Sequence, residues 1–177
     1  MENTKRAFLS LSIPSEIKDG IFEIVQNIPH LELHPKNNFH ITIKFLGDIT
    51  EEQEEQVTSL MEFVAGQFEP FPIEFIGLKI VEQRLRLLAQ STIQIQHLYE
   101  TIKYNLKKIQ LFQDDRIGFE PHVTLGKIIT QELPPSAQHL DLSGLPFVAD
   151  HLTLYQTVRG EGVPVFKPLS QIIFQTR

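Results

Sequence analysis

The chain has no cysteine among its 177 residues. That excludes disulfides, thiolate zinc sites and a cysteine nucleophile together, and it fits a reducing compartment. Long apolar runs are also missing. Nothing approaches the roughly 18 residues of a membrane span. The short apolar stretch in MENTKRAFLSLSIP reads as a first strand rather than a signal peptide. Positive charge is in the minority, 16 Lys and Arg against 22 Asp and Glu, for a formal net charge of -6. An acidic surface disfavours unspecific attachment to a nucleic-acid backbone, while leaving room for a small basic site. The expectation is a cytoplasmic protein that does not contact a membrane. No linker divides the chain and no segment is of low complexity, so residues 1-177 are expected to form one domain.

What is present is an ordinary globular composition, 41% hydrophobic and 21% charged. Alternation predicts strands over 6–13, 39–47, 71–81, 84–90, 119–128, 145–158 and 165–175. Helical spacing predicts three helices. The first is capped by Ser15 and ended by Pro29. The second opens on the capping box Thr50-Glu51-Glu52-Gln53 and runs to about Gly66. The third runs from about Thr92 to Ile109. The polar stretch 30–38 reads as a loop. Arg159-Gly160-Glu161-Gly162 reads as a turn. Helices do not separate every strand, so an α+β fold with antiparallel pairing is expected.

One short pattern occurs twice. His40-Ile41-Thr42-Ile43 and His122-Val123-Thr124-Leu125 both read His, β-branched apolar, Thr, apolar, and their histidines are 82 residues apart, close to half the chain. In a strand, His and Thr two residues apart face the same side. Phe39, Ile41, Ile43 and Phe45 would form the buried face of the first strand, and Val123 and Leu125 that of the second. A single His-x-Thr is more often structural than functional. Two copies at half-chain spacing point instead to two lobes of similar plan facing each other.

Two histidines can hold one proton between them near neutral pH, so one can protonate a leaving group while the other activates water. Threonine hydroxyls can donate to the non-bridging oxygens of a phosphate. Neither motif carries a carboxylate at metal-ligand spacing, although a two-histidine metal site can be constructed.

These paired motifs, in the contexts His-Ile-Thr-Ile-Lys-Phe-Leu-Gly and Pro-His-Val-Thr-Leu, resemble the 2H phosphoesterase superfamily. The similarity is greatest to its RNA 2′,3′-cyclic phosphodiesterase (2′-5′ RNA ligase-like) branch. The opening RAFLSLSIPSEIKDGI and the Leu154-Tyr155 strand with its glycine turn are similar to that family too. The resemblance implies a bilobal α+β fold. Two antiparallel sheets with flanking helices, related by a pseudo-two-fold duplication, would enclose an active cleft between the lobes, with one motif from each. It implies hydrolysis of RNA 2′,3′-cyclic phosphate ends to 2′-phosphomonoesters, with no metal and no other cofactor. His40 would then donate a proton to the leaving 3′ oxygen and His122 would accept one from water. Thr42 and Thr124 would bind the phosphate. The partner would be an RNA or oligonucleotide end, met by a monomer. The symmetry of the motifs does not itself say which histidine is acid and which is base.

Lys127 stands where the family often has an arginine, and by strict alternation it points away from His122 unless a bulge intervenes. Lys44 would lie on the His40 face and competes for the role of cation. Val165-Phe166 occupies the place of a family aromatic. Phe39 should point into the core. Arg84 and Arg86 share a strand face, which either lines the cleft or, the commoner case, is solvated, and Glu120, beside Pro121 and His122, either orients a neighbour or, more often, is a surface carboxylate. His30, His34, His97, His139 and His151 carry no motif. Two other functions stay open: a related phosphodiesterase acting on 2′-5′ linkages or small nucleotide cyclic phosphates, and a non-catalytic RNA-end binding module.

Overall fold

The computed structural model describes residues 4–112, 118–160 and 162–176. Glu161 of the expected glycine turn lies outside them. Chain order is β1 (Lys5–Ser12), α1 (Ser15–Val25), β2 (Leu31–Leu33), a 3-10 turn (Lys36–Asn38), β3 (His40–Ile49), α2 (Glu51–Ala65), β4 (Phe71–Ile73), β5 (Phe75–Val81), β6 (Arg84–Ala89), α3 (Ile93–Lys108), β7 (His122–Ile128), α4 (Pro135–Gln138), β8 (Phe147–Ala149), β9 (His151–Val158) and β10 (Val165–Ile173). The α+β architecture and the antiparallel pairing are those expected.

The start of α2 follows the local sequence closely. Thr50 Oγ1 accepts from Gln53 N at 3.2 Å, and Thr50 N donates to Gln53 Oε1 at 2.9 Å, which completes the capping box. Thr92 caps α3 by accepting from Ile95 N at 3.4 Å. The start of α1 differs. Pro14 occupies the cap position with no side-chain hydrogen bond, and the Ser15 hydroxyl donates to Glu16 within the first turn instead. That helix also stops at Val25, ahead of Pro29. Between β5 and β6, Glu82 and Gln83 both have positive φ, 50° and 60°, the left-handed geometry that a tight two-residue hairpin turn demands.

Two expected strands are each cut in two where the chain changes sheets. The cuts fall at Glu74, between β4 and β5, and at Asp150, between β8 and β9. β4 and β8 pair with each other in a separate ribbon. β5 and β9 continue into the main sheet on opposite sides of its centre. The corner carbonyls stay satisfied: Glu74 O accepts from Gln90 N at 2.8 Å and Asp150 O from Phe174 N at 2.7 Å.

The main sheet has the order β10-β9-β1-β3-β7-β6-β5, with β2 pairing β7. Its two halves meet at β3 and β7, which are joined in register by the single pair Ile41–Val123. These strands run antiparallel and overlap only at their first residues. Beyond that overlap, the free edge of β7 is covered by β2, through Leu31–Ile128, Glu32–Lys127 and Leu33–Gly126. The expected loop 30–38 therefore contains a strand, because β7 offers an unpaired edge there. α2 and α3 pack together on the apolar face of the sheet, where Leu9, Leu11, Ile41, Val123, Leu98 and Ile102 are among the fully buried residues. No described helix is long and apolar enough to cross a membrane.

Only glycine fits at 126. A Cβ there would lie 2.1 Å from Glu32 O and 3.0 Å from Leu33 Cα. Gly126→Ala is expected to push β2 off β7 and cost about 1–3 kcal/mol. The check is a lowered Tm with faster amide exchange at His34, whose N–H donates to Leu125 O at 2.7 Å. An unchanged Tm would contradict the close approach.

Candidate active site

The antiparallel sense about Ile41–Val123 sets His40 across from Thr124 and Thr42 across from His122. On the outer side of β3, β1 places Ser12 opposite His40 and Ser10 opposite Thr42. On the outer side of β7, β6 places Leu88 opposite His122 and Arg86 opposite Thr124. The four motif side chains therefore converge from strands that belong to opposite halves of the sheet.

Both imidazoles are anchored in the same way. His40 Nδ1 lies 2.6 Å from Asn38 O, and His122 Nδ1 lies 2.7 Å from Glu120 O. A carbonyl only accepts, so in each ring Nδ1 carries the hydrogen and donates it. In the neutral ring Nε2 is then the nitrogen that accepts. In His40 it lies 2.9 Å from Thr42 Oγ1. The ring of His40 is further fixed by aromatics: Phe8 at 4.8 Å and Phe166, edge-on, at 5.0 Å between centroids. Phe166 thus packs on the catalytic candidate itself. Asn38, through its amide, also holds Pro164 O at 2.8 Å and ties the β9–β10 connection to the site.

A bulge in each motif strand alters which later residues face the cleft. On β3 the partners of Leu9 and Ser10 are Lys44 and Thr42, so Ile43 is skipped. On β7 the partners of Leu85 and Arg86 are Gly126 and Thr124, so Leu125 is skipped. Both skipped residues are the fourth of their motif. Alternation inverts beyond each bulge. Phe45, expected in the core, is therefore 61% exposed and lines the cleft. Lys44, expected on the His40 face, pairs with Leu9 and is buried, its Nζ 4.6 Å from the Phe112 ring beside α3. Lys127 moves the other way. It pairs with Arg84 and so shares the face of Arg86 and Thr124.

Thr42, Phe45, Arg84, Arg86, His122 and Thr124 line one cleft. Both arginines line the cleft, Arg86 half-buried and Arg84 exposed at its rim, and their i, i+2 spacing was the signal that they share a face. Glu120 is an exposed carboxylate paired with Lys79 at 2.8 Å, and its backbone carbonyl, not its side chain, orients His122. His34 was missed altogether, since its loop gives no pattern to read. Among the described residues no three His, Asp or Glu side chains are gathered as a metal set needs.

The cleft disfavours protons on its histidines. Burial pushes His40 down to about 4, against the opposing hydrogen bond to Asn38, with repulsion from Lys18, His122 and His34 adding to the effect. His122 is also lowered, by burial first and then by the neighbouring Arg86, while Glu120 opposes. His34 is lowered by burial and by Arg84. An acidic chain thus encloses a locally cationic pocket, which suits an anionic ligand.

The His40 value has a consequence for stability. The unfolded ring takes up a proton near 6.5 and the folded ring only near 4, so this contribution is complete above pH 6.5 and is lost as pH falls toward 4. At pH 5 the loss is on the order of 2 kcal/mol. Urea unfolding at pH 7 and pH 5 is expected to show a fall larger by about that amount in wild type than in His40→Gln. Equal falls would mean that the ring is not desolvated.

A family model described as LigT like Phosphoesterase matches residues 11–89, which include the first motif and both arginines of β6. The RNA 2′,3′-cyclic phosphodiesterase of Methanocaldococcus jannaschii is 24% identical over 94% of this chain and 99% of its own length. That of Bacillus subtilis is 26% identical over 84% of this chain and 86% of its own. Among solved structures, E. coli LigT complexed with 3′-AMP superposes with a TM-score of 0.80 at 17% identity, covering 98% of this chain and 100% of that one, which shows the fold. These relatives extend across the second motif, which the family match does not reach. With two His-x-Thr strands meeting at its centre, the chain is similar to the LigT-like phosphoesterases, in sequence over residues 11–89 and in fold over its length.

Proposed function

We propose that the protein hydrolyses RNA 2′,3′-cyclic phosphate ends to 2′-phosphomonoesters, without a metal, using His40 and His122 as acid and base. The observation that carries this reading is the matched anchoring of the two rings, each with Nδ1–H on a backbone carbonyl two residues upstream, which leaves Nε2 as the accepting nitrogen, in His40 beside Thr42 Oγ1. Binding alone would need no such pair. The names of the curated relatives support the same substrate class.

In this scheme His122 Nε2 takes a proton from water, whose oxygen forms a new bond to phosphorus. The P–O3′ bond breaks, and the 3′ oxygen takes the proton from His40 Nε2. The 2′ oxygen keeps the phosphate. His40 ends neutral and His122 protonated, and exchange with solvent resets them. Thr42 and Thr124 donate to non-bridging oxygens, steadying charge as it develops. The His40 donor role needs the substrate, because the free site strips its proton. An anionic phosphate seated between the rings favours the charged form and raises the pKa of each. The reading extends to a monomer acting in the cytoplasm on RNA or oligonucleotide ends.

Turnover of a nucleoside 2′,3′-cyclic phosphate is expected to persist in EDTA, and His40→Ala and His122→Ala are each expected to lower kcat by about 10²–10⁴-fold. Loss in EDTA with recovery on adding metal would overturn the metal-free scheme. Binding without turnover would leave an end-binding module. An aryl phosphodiester, whose leaving group needs no proton, should restore turnover to His40→Ala and not to His122→Ala. Burial alone favours a neutral His40, the base-like state, so the opposite rescue would exchange the two roles.

The pH profile offers a separate check. An acid loses its proton as pH rises through its pKa, and both free rings titrate below 6.5. The alkaline limb of kcat/KM is therefore expected below pH 6.5, with that of kcat at higher pH because bound anion holds the proton. Coincident limbs would mean that substrate charge does not couple to the histidines.

A further inference from the structure

The cleft contains one buried donor that the two-histidine scheme does not use. The Nε of Arg86 is shielded from solvent and has no hydrogen-bond acceptor among the described residues. Buried donors without acceptors are rare in folded proteins, and this one belongs to a half-buried guanidinium at a cleft wall. Arg86 sits directly across the ladder from Thr124, on the strand next to His122. Its side chain lines the same cleft as Thr42, Thr124 and His122.

Among the described residues, the carboxylate nearest in effect to this guanidinium is already engaged. The carboxylate that feels Arg86, Glu120, is held by Lys79 at 2.8 Å. The competing cations are placed less well. Lys44 also lines the cleft, but its Nζ stands over the Phe112 ring at 4.6 Å, and Lys127 is exposed and sits opposite Arg84, further along β6. A planar guanidinium also suits a phosphate better than an ammonium, because it can offer two parallel donors.

We propose that Arg86 binds the reacting phosphate, its guanidinium donating to a non-bridging oxygen beside Thr124. This rests on the phosphodiesterase reading of the same cleft. It assigns the oxygen-binding cation of the site to β6, a strand that carries neither motif. It also gives the residue a second effect. In the empty site Arg86 repels a proton from His122. A phosphate on Arg86 cancels that repulsion, so His122 becomes basic enough to take the proton of water only when substrate is in place.

The test uses nucleoside 2′-monophosphate, which needs no turnover. Calorimetry with 2′-AMP is expected to show about 10–100-fold weaker binding for Arg86→Gln than for wild type, and a smaller loss for Arg86→Lys. Titration of the His122 ring by NMR should give a higher pKa in ligand-free Arg86→Gln, because a repelling charge is gone. Arg86→Lys should stay near wild type. A purely structural arginine would change melting without moving this titration. In wild type the Arg86 Nε–H resonance should shift on addition of 2′-AMP, a readout that survives if the variants fail to fold. Wild-type affinity in folded Arg86→Gln, an unmoved Nε–H resonance, or no binding of 2′-AMP by wild type would each overturn the proposal. The hydrolysis reading can fail separately. Absent turnover with Arg86-dependent 2′-AMP binding leaves a phosphate site, and turnover with Arg86-independent binding removes this inference alone.

Discussion

The pairing of Ile41 with Val123 is where the two halves of the sheet become one. Two antiparallel strands that overlap only at their first residues form few backbone bonds with each other. What they gain is position. Every side chain flanking that pair comes from a different half, and the antiparallel sense brings each histidine beside the other strand's threonine. Extending the overlap would strengthen the sheet, but it would pair the edge of β7 that β2 now covers and close the space in which the two histidines meet. The joint is short because its neighbours do the holding: β1 and β9 on one side, and β6 with β2 on the other.

The two halves repeat more than the motif. Each histidine is anchored to the carbonyl two residues before it. Each strand bulges at the fourth motif residue. Each half sends one strand through a single corner residue, Glu74 or Asp150, into the shared ribbon. None of these correspondences is visible by comparing the flanking sequences, which differ. What repeats is backbone geometry, and many sequences satisfy the same geometry. Chemistry repeats only where side chains meet the proposed substrate, which is why the sequence shows just the short His-x-Thr element twice.

This also explains how much of the site could be read in advance. The capped start of α2, the apolar stripe of α3 and the polar faces of the motif strands follow from local patterning, and they lie where expected. The bulges do not follow from it. A bulge depends on register with a neighbouring strand, so strict alternation put Phe45 in the core and Lys44 beside His40, and both are reversed. β2 and the corner residues were hidden for the same reason, since pairing across long separations decided them. His34 lay in a polar loop with nothing to mark it, yet it approaches His40 closely enough to repel its proton.

The ribbon of β4 and β8 has a mechanical meaning. β4 leads into the half that contains β7, and β8 leads into the half that contains β3. Pairing them straps together the two plates that the Ile41–Val123 joint connects at a single point. A plate hinged at one point could swing; strapped a second time, and pressed together through α2 and α3, it cannot without shearing the ribbon. The gap between the two imidazoles is therefore gauged by Phe71–Ile73 and Phe147–Ala149, segments that carry no part of either motif.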